Sequence, residues 1–175
     1  MQLSKEVGNI SSSITLAITA KVNELKSQGI DVVNFGDGEP DFNTSENVNS
    51  IEQYSAIEAL DESVDDLNNM IKEFENRRNF MIYKLEKLSE ISIIKPSGEF
   101  YIMINISAYL NTTFKEQNIN NSVDFARVLL EEEKVAVIPG DGFGLDDYIR
   151  LSYATSMDVI ENGIDRISTF LSKIK

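Results

Sequence analysis

Arg150 is the side chain in this sequence whose type and setting best suit chemistry with an anion. It lies in residues 134–154, KVAVIPGDGFGLDDYIRLSYA, where two short apolar runs flank a turn-rich segment carrying Pro139, Gly140, Gly142 and Gly144. That pattern predicts strand, loop, strand. Strand alternation puts Ile149, Leu151 and Tyr153 on one face and Tyr148, Arg150 and Ser152 on the other, so the guanidinium shares its face with hydroxyls. A planar guanidinium on a strand suits a carboxylate, because its parallel N–H groups meet the two oxygens as a fork. The alternative is an internal ion pair with Asp141, Asp146 or Asp147 nearby. Those three acids could also be weighed as a hard-cation site, but Phe143 and Leu145 stand where EF-hand ligands belong, and no metal site is predicted.

The rest of the composition narrows the chemistry. The chain has no histidine and no cysteine, so a Ser-His-Asp triad, a thiol nucleophile, a Cys/His zinc site and a disulfide are excluded. Sixteen basic and twenty-nine acidic residues give a formal charge of −13, which repels phosphate backbones and anionic membranes, so neither nucleic acid nor membrane is an expected partner. The first residues, MQLSKEVGNISSS, lack the apolar core of a secretory signal, and no run is long enough to span a bilayer; the expectation is a cytoplasmic protein. A second feature able to approach an anion is the turn GDGEPDF, residues 36–42, where two glycines and a proline expose backbone amides. Gly-x-Gly alone is compatible with an ordinary turn.

These residues need a scaffold, and the periodicities supply one. Residues 15–28 read as a helix with Ile18, Val22 and Leu25 on one stripe and Gly29 as its stop. An extended run, residues 31–35, follows. Helical spacing then runs through Ile51, Tyr54, Ile57 and Leu60, and again through Val64, Leu67, Ile71, Phe74, Met81, Leu85 and Leu88, with Ser63 and Asp66 as a capping box. Residues 92–106 read as a hairpin turning at Pro96-Ser97-Gly98. Residues 105–122 read as a connection with a short helical turn near Phe114. Ser122 is expected to cap a helix ending in a solvated Glu131-Glu132-Glu133, and Ser156 to cap a last helix with Ile160, Ile164, Ile167, Leu171 and Ile174 on its stripe. The order predicts an α+β, two-layer architecture, a small mixed or antiparallel sheet covered by helices, preceded by an N-terminal helix and loop.

The segment VAVIPGDGFG followed by YIRLSYA resembles the C-terminal signature of class I/II pyridoxal-phosphate-dependent aminotransferases of the aspartate aminotransferase type. DVVNFGDGEPDFNTSENV resembles the same family's N-terminal segment, and PSGEFY the hairpin that opens its small domain. The resemblance implies that Arg150 binds the α-carboxylate of an amino acid or 2-oxo acid and that Gly38 meets it through its backbone N–H. It also implies a ping-pong amino transfer that uses pyridoxal phosphate.

The resemblance divides the chain unevenly. Residues 1–48 match the beginning of an aminotransferase, residues 49–62 match a helix from the end of its large domain, and residues 63–175 match its small domain. The large domain between them, which in the family holds the Schiff-base lysine and the other cofactor ligands, has no counterpart. A Schiff-base lysine wants desolvation, and no lysine of this chain has a local pattern suggesting it, so no catalytic residue, no cofactor-binding residue and no bound cofactor are predicted. The expectation is a partial aminotransferase that is inactive alone. The alternative is a non-catalytic interaction domain that self-associates, as a possible homo-oligomer, through Tyr54, Ile57 and Leu60.

Overall fold

The structure, a computed structural model, describes residues 13–36, 38 and 64–174. The expected helix at 48–60, its Tyr54, Ile57 and Leu60, the Ser63 cap and most of the GEPDF turn lie outside the described residues. The described helices are Ile14–Ser27 (α1), Val64–Leu85 (α2), Ser122–Glu133 (α3) and Met157–Lys173 (α4). The strands are Val33–Asn34 (β1), Ser92–Ile94 (β2), Tyr101–Asn105 (β3), Thr112–Phe114 (β4), Gln117–Ile119 (β5), Val135–Ala136 (β6), Ile138–Pro139 (β7) and Tyr148–Ser152 (β8).

The architecture is α+β, as the periodicities predict. Its central sheet has the order β2-β3-β8-β7 and is antiparallel throughout. One face carries Ile102, Ile104, Ile149 and Leu151, which join Met81 and Leu85 of α2, Phe125 and Leu129 of α3 and Ile164, Ile167 and Phe170 of α4 in a single core. Period-2 alternation therefore turns Tyr101, Met103, Tyr148 and Arg150 to the opposite face. The stripe of α4 is buried as expected, and Ser156 caps the helix by accepting from the Val159 N–H.

The N-terminal strand enters the sheet system from outside. β1 pairs in parallel with β6, and the Phe35 N–H donates to the Ala136 carbonyl at 2.8 Å. The Phe35 carbonyl accepts from the Ser152 N–H at 2.9 Å, so this residue ties the β1–β6 pair to β8. Gly163 of α4 leaves room for the Phe35 ring, since a Cβ there would lie 2.4 Å from it.

Four local readings are corrected. The connection near Phe114 is a β4–β5 ribbon rather than a helical turn: Lys115 and Glu116 take positive φ values of 45° and 69°, as a two-residue hairpin turn requires, and Phe114 and Ile119 are buried in the core. The cap of α3 is Asn121, whose side chain accepts from the Asp124 N–H, while Ser122 is the first helical residue and is buried. The acidic end of α3 is not simply solvated, because Glu132 pairs with Lys115 and Glu133 with Lys173. Residues 135–138 form two strands, not one, and the chain passes from the β1–β6 pair to the central sheet at Val137.

The core also fixes a response to alkaline pH. Burial pushes the hydroxyls of Tyr109 and Tyr153 above the ordinary tyrosine value; Tyr109 donates to the Ser89 carbonyl and Tyr153 to the Glu99 carbonyl. Lys84 is also raised, chiefly by its hydrogen bond to Asp165. Groups with raised folded values bind protons more tightly in the folded chain, so their contribution is complete below the unfolded values of 10.0 and 10.5 and is lost as pH rises through the higher folded values. Tyr83 is shifted down by Lys87 and opposes this weakly at the surface. Melting temperature should therefore be insensitive to these groups at neutral pH and fall above about pH 10, with a shallower fall in Tyr153→Phe; a pH series of circular dichroism melts reads both.

Candidate functional site

Arg150 lies at the middle of β8, opposite Met103 on one side and Ile138 on the other. Its Cζ is 4.0 Å from the centroid of the Tyr101 ring and 5.0 Å from that of Phe143. Two aromatic faces therefore hold the guanidinium by cation–π attraction. Its Nε is buried with no hydrogen-bond partner among the described residues. No ion pair joins Arg150 to a described carboxylate.

Asp146 and Asp147 do not make the internal pairing open to Arg150, for a reason visible in their partners. Asp147 accepts from the Asn105 side-chain amide at 3.0 Å. Asp146 accepts from the Ser122 hydroxyl at 3.0 Å and from its N–H at 3.2 Å, and the Ser122 oxygen in turn accepts from the Asp141 N–H. These bonds draw the acids toward Asn105 and the start of α3. They also pin the loop that carries Phe143. No cluster of three acids able to hold a metal occurs among the described residues.

Gly38 lies beside the same platform. A Cβ on Gly38 would sit 1.9 Å from the Tyr101 hydroxyl oxygen and 3.1 Å from the Phe100 ring, so the backbone approaches the aromatic pair as only glycine allows. The structure thus brings Gly38 and Arg150 to one ring, that of Tyr101, from segments far apart in sequence. Sequence reasoning missed Tyr101 and Phe143. Strand alternation in residues 99–106 could have put Tyr101 on the outward face, but only the β3–β8 register sets it next to Arg150.

Chemically, the arrangement is a guanidinium stacked on a ring, with further N–H groups able to donate to a planar anion. The chain's formal charge of −13 opposes any anion at long range, so binding depends on this short-range fork.

The α+β scaffold that carries these residues is shared with a known class. Residues 40–167 match the family model described as aminotransferase class I and II, and the chain belongs to this pyridoxal-phosphate-dependent family. Among its relatives, the aspartate aminotransferase of Bacillus subtilis (strain 168) is 41% identical over 131 residues, a match covering 74% of this chain and 32% of the relative. The probable aspartate/prephenate aminotransferase of Aquifex aeolicus (strain VF5) is 39% identical over 130 residues, covering 73% and 32%. The crystal structure of the aspartate aminotransferase from Rhizobium meliloti superposes with a TM-score of 0.67 at 29% identity over 71% of this chain and 31% of that one. The chain thus spans about a third of the length of the curated relatives it matches.

The described lysines do not fit the family's cofactor. A Schiff-base lysine needs a lowered pKa, reached by desolvation or a neighbouring cation. Lys84 is instead raised by Asp165, and Lys21, Lys95, Lys115 and Lys173 each face a glutamate. Lys134 donates to the Glu131 carbonyl, Lys87 stands over the Tyr83 ring, and Lys26 and Lys72 are exposed.

Proposed function

We propose that this chain carries the substrate-carboxylate half of an aspartate-type aminotransferase without the half that holds pyridoxal phosphate. Residues 1–48 correspond to the beginning of the enzyme, 49–62 to a helix from the end of the large domain and 63–175 to the small domain. Arg150 is the carboxylate fork and Gly38 its backbone companion; the ligand is the carboxylate of an amino acid or 2-oxo acid. The observation that carries this reading is Arg150 stacked on Tyr101 with a buried Nε and no carboxylate partner among the described residues. Orientation of a substrate without the cofactor gives nothing to react with, so the chain alone catalyses no amino transfer.

Calorimetric titration with propionate tests the fork. Arg150→Met should weaken binding by about tenfold or more, the scale of a lost charge-assisted pair. Equal affinity in the variant would refute the role of Arg150. Incubation with pyridoxal phosphate, borohydride reduction and mass mapping tests the other half: scattered, unsaturable labelling is expected, and saturable labelling of one lysine would show a cofactor site.

A second reading, an interaction domain, is favoured by Leu67 and Ile71, one turn apart on α2 and 58% and 50% exposed. Size-exclusion chromatography should then show mass rising with concentration, and a strict monomer would argue against it.

A further inference from the structure

Between α2 and the turn that joins β2 to β3 lies a cleft of about 480 Å³, within the size range of small-molecule sites. Three aromatic side chains line it. Phe74 stands 6.3 Å from Phe100 and 6.4 Å from Tyr153 between ring centroids, the second pair edge to face. Ile71 of α2, half exposed, extends the apolar wall. The charged side chains that line the cleft are Glu75, Arg78 and Glu99.

These three charges are not equivalent. Arg78 is engaged along its own helix, with an Nη2 3.9 Å from the Glu75 carboxylate and an Nε that donates to the Asn79 side chain at 3.3 Å. The Glu99 carboxylate has no ion pair or hydrogen bond among the described residues. Glu99 also takes a φ of 60°, uncommon for a residue with a side chain, while its carbonyl accepts from the Tyr153 hydroxyl at 2.6 Å. The neighbouring Phe100 carbonyl accepts from the Tyr153 N–H at 2.8 Å, so the turn is tied to Tyr153 at two successive residues. The result is a fixed turn that brings an unpaired carboxylate to an aromatic wall. Aromatic faces attract cations, and a chain at −13 draws them in at long range while it repels anions.

We infer that this cleft binds a small organic cation, an ammonium group on an apolar body, with Glu99 as its counter-ion and Phe74, Phe100 and Tyr153 as its walls. Arg150 does not line the cleft. The two places adjoin only through Phe100 and Tyr101, whose ring centroids are 4.6 Å apart. The inference is therefore independent of the assignment of Arg150 as a carboxylate fork.

The test compares 2-phenylethylammonium with the neutral 2-phenylethanol by calorimetric titration of the whole chain. The ammonium should bind saturably and about fivefold tighter than the alcohol, the scale of one contact between opposite charges about 4 Å apart in a watery setting. Glu99→Gln, a change at an exposed position whose carboxylate holds nothing else in the fold, should remove that margin and leave the melting temperature as it is. Arg150→Met should bind the ammonium as the parent chain does. No saturable binding of the ammonium, equal affinity for the alcohol, or a margin that survives Glu99→Gln overturns the inference. A margin lost in Arg150→Met also overturns it, because the ammonium would then be read at the strand and not in the cleft.

Discussion

Phe35→Ala should destabilise the folded chain by about 3–5 kcal/mol, the usual cost of truncating a fully buried phenylalanine. The ring has no exposed surface and lies against Gly163, where the absence of a side chain makes its seat. A cavity here cannot be closed by a neighbour easily, because the wall is helical backbone. The main chain of Phe35 bonds to Ala136 and Ser152, so losing the ring also loosens the segment that brings Gly38 to Tyr101. Urea denaturation should show the stability loss, and propionate affinity should fall alongside it. A change of less than about 1 kcal/mol would mean that the pocket collapses freely or that Phe35 is not its anchor.

Gly140→Ala should cost about 3 kcal/mol, at the upper end for overpacking, because the added methyl meets backbone rather than a side chain that can turn away. A Cβ at Gly140 would lie 2.1 Å from the Leu145 carbonyl oxygen and 2.6 Å from that of Tyr148. The Leu145 carbonyl accepts from the Tyr148 N–H, and the Leu145 N–H donates to the Gly140 carbonyl, so the clash strikes the bonds that close the loop. That loop presents Phe143 to Arg150. Thermal denaturation should report the loss. Wild-type stability in the variant would show that the loop closes differently from the arrangement described.

Much of this was legible in local pattern. The α4 stripe, its Ser156 cap, the Gly29 stop with φ of +77° and the β2–β3 hairpin follow from short-range rules of periodicity and turn chemistry. Arg150 was legible as a candidate because alternation separated it from the apolar face. The misses share a physical cause, which is long-range packing. Phe114 becomes strand because its ring is needed against Phe170, 5.5 Å away between centroids. Ser122 gives up the cap to Asn121 because its hydroxyl is taken by Asp146 across the fold. The split of residues 135–138 reflects two different partners, β1 for Val135 and Ala136 and β8 for Ile138 and Pro139. Tyr101 and Phe143 could not be assigned to Arg150 without the register and the loop closure that bring them there. The fate of Asp146 and Asp147, which decides whether Arg150 stays available, likewise depends on Ser122 and Asn105 from other elements.

The most direct measurement of the central claim is a nitrogen–proton NMR titration that follows the side-chain Nε–H of Arg150, assigned by its disappearance in Arg150→Lys, as propionate is added. The account predicts a saturable shift of this resonance, accompanied by shifts of Gly38 and Tyr101 and none in the α4 residues remote from the site. An Arg150 signal that stays fixed while propionate reaches saturation elsewhere, or that never responds, would contradict the assignment of Arg150 as the carboxylate fork.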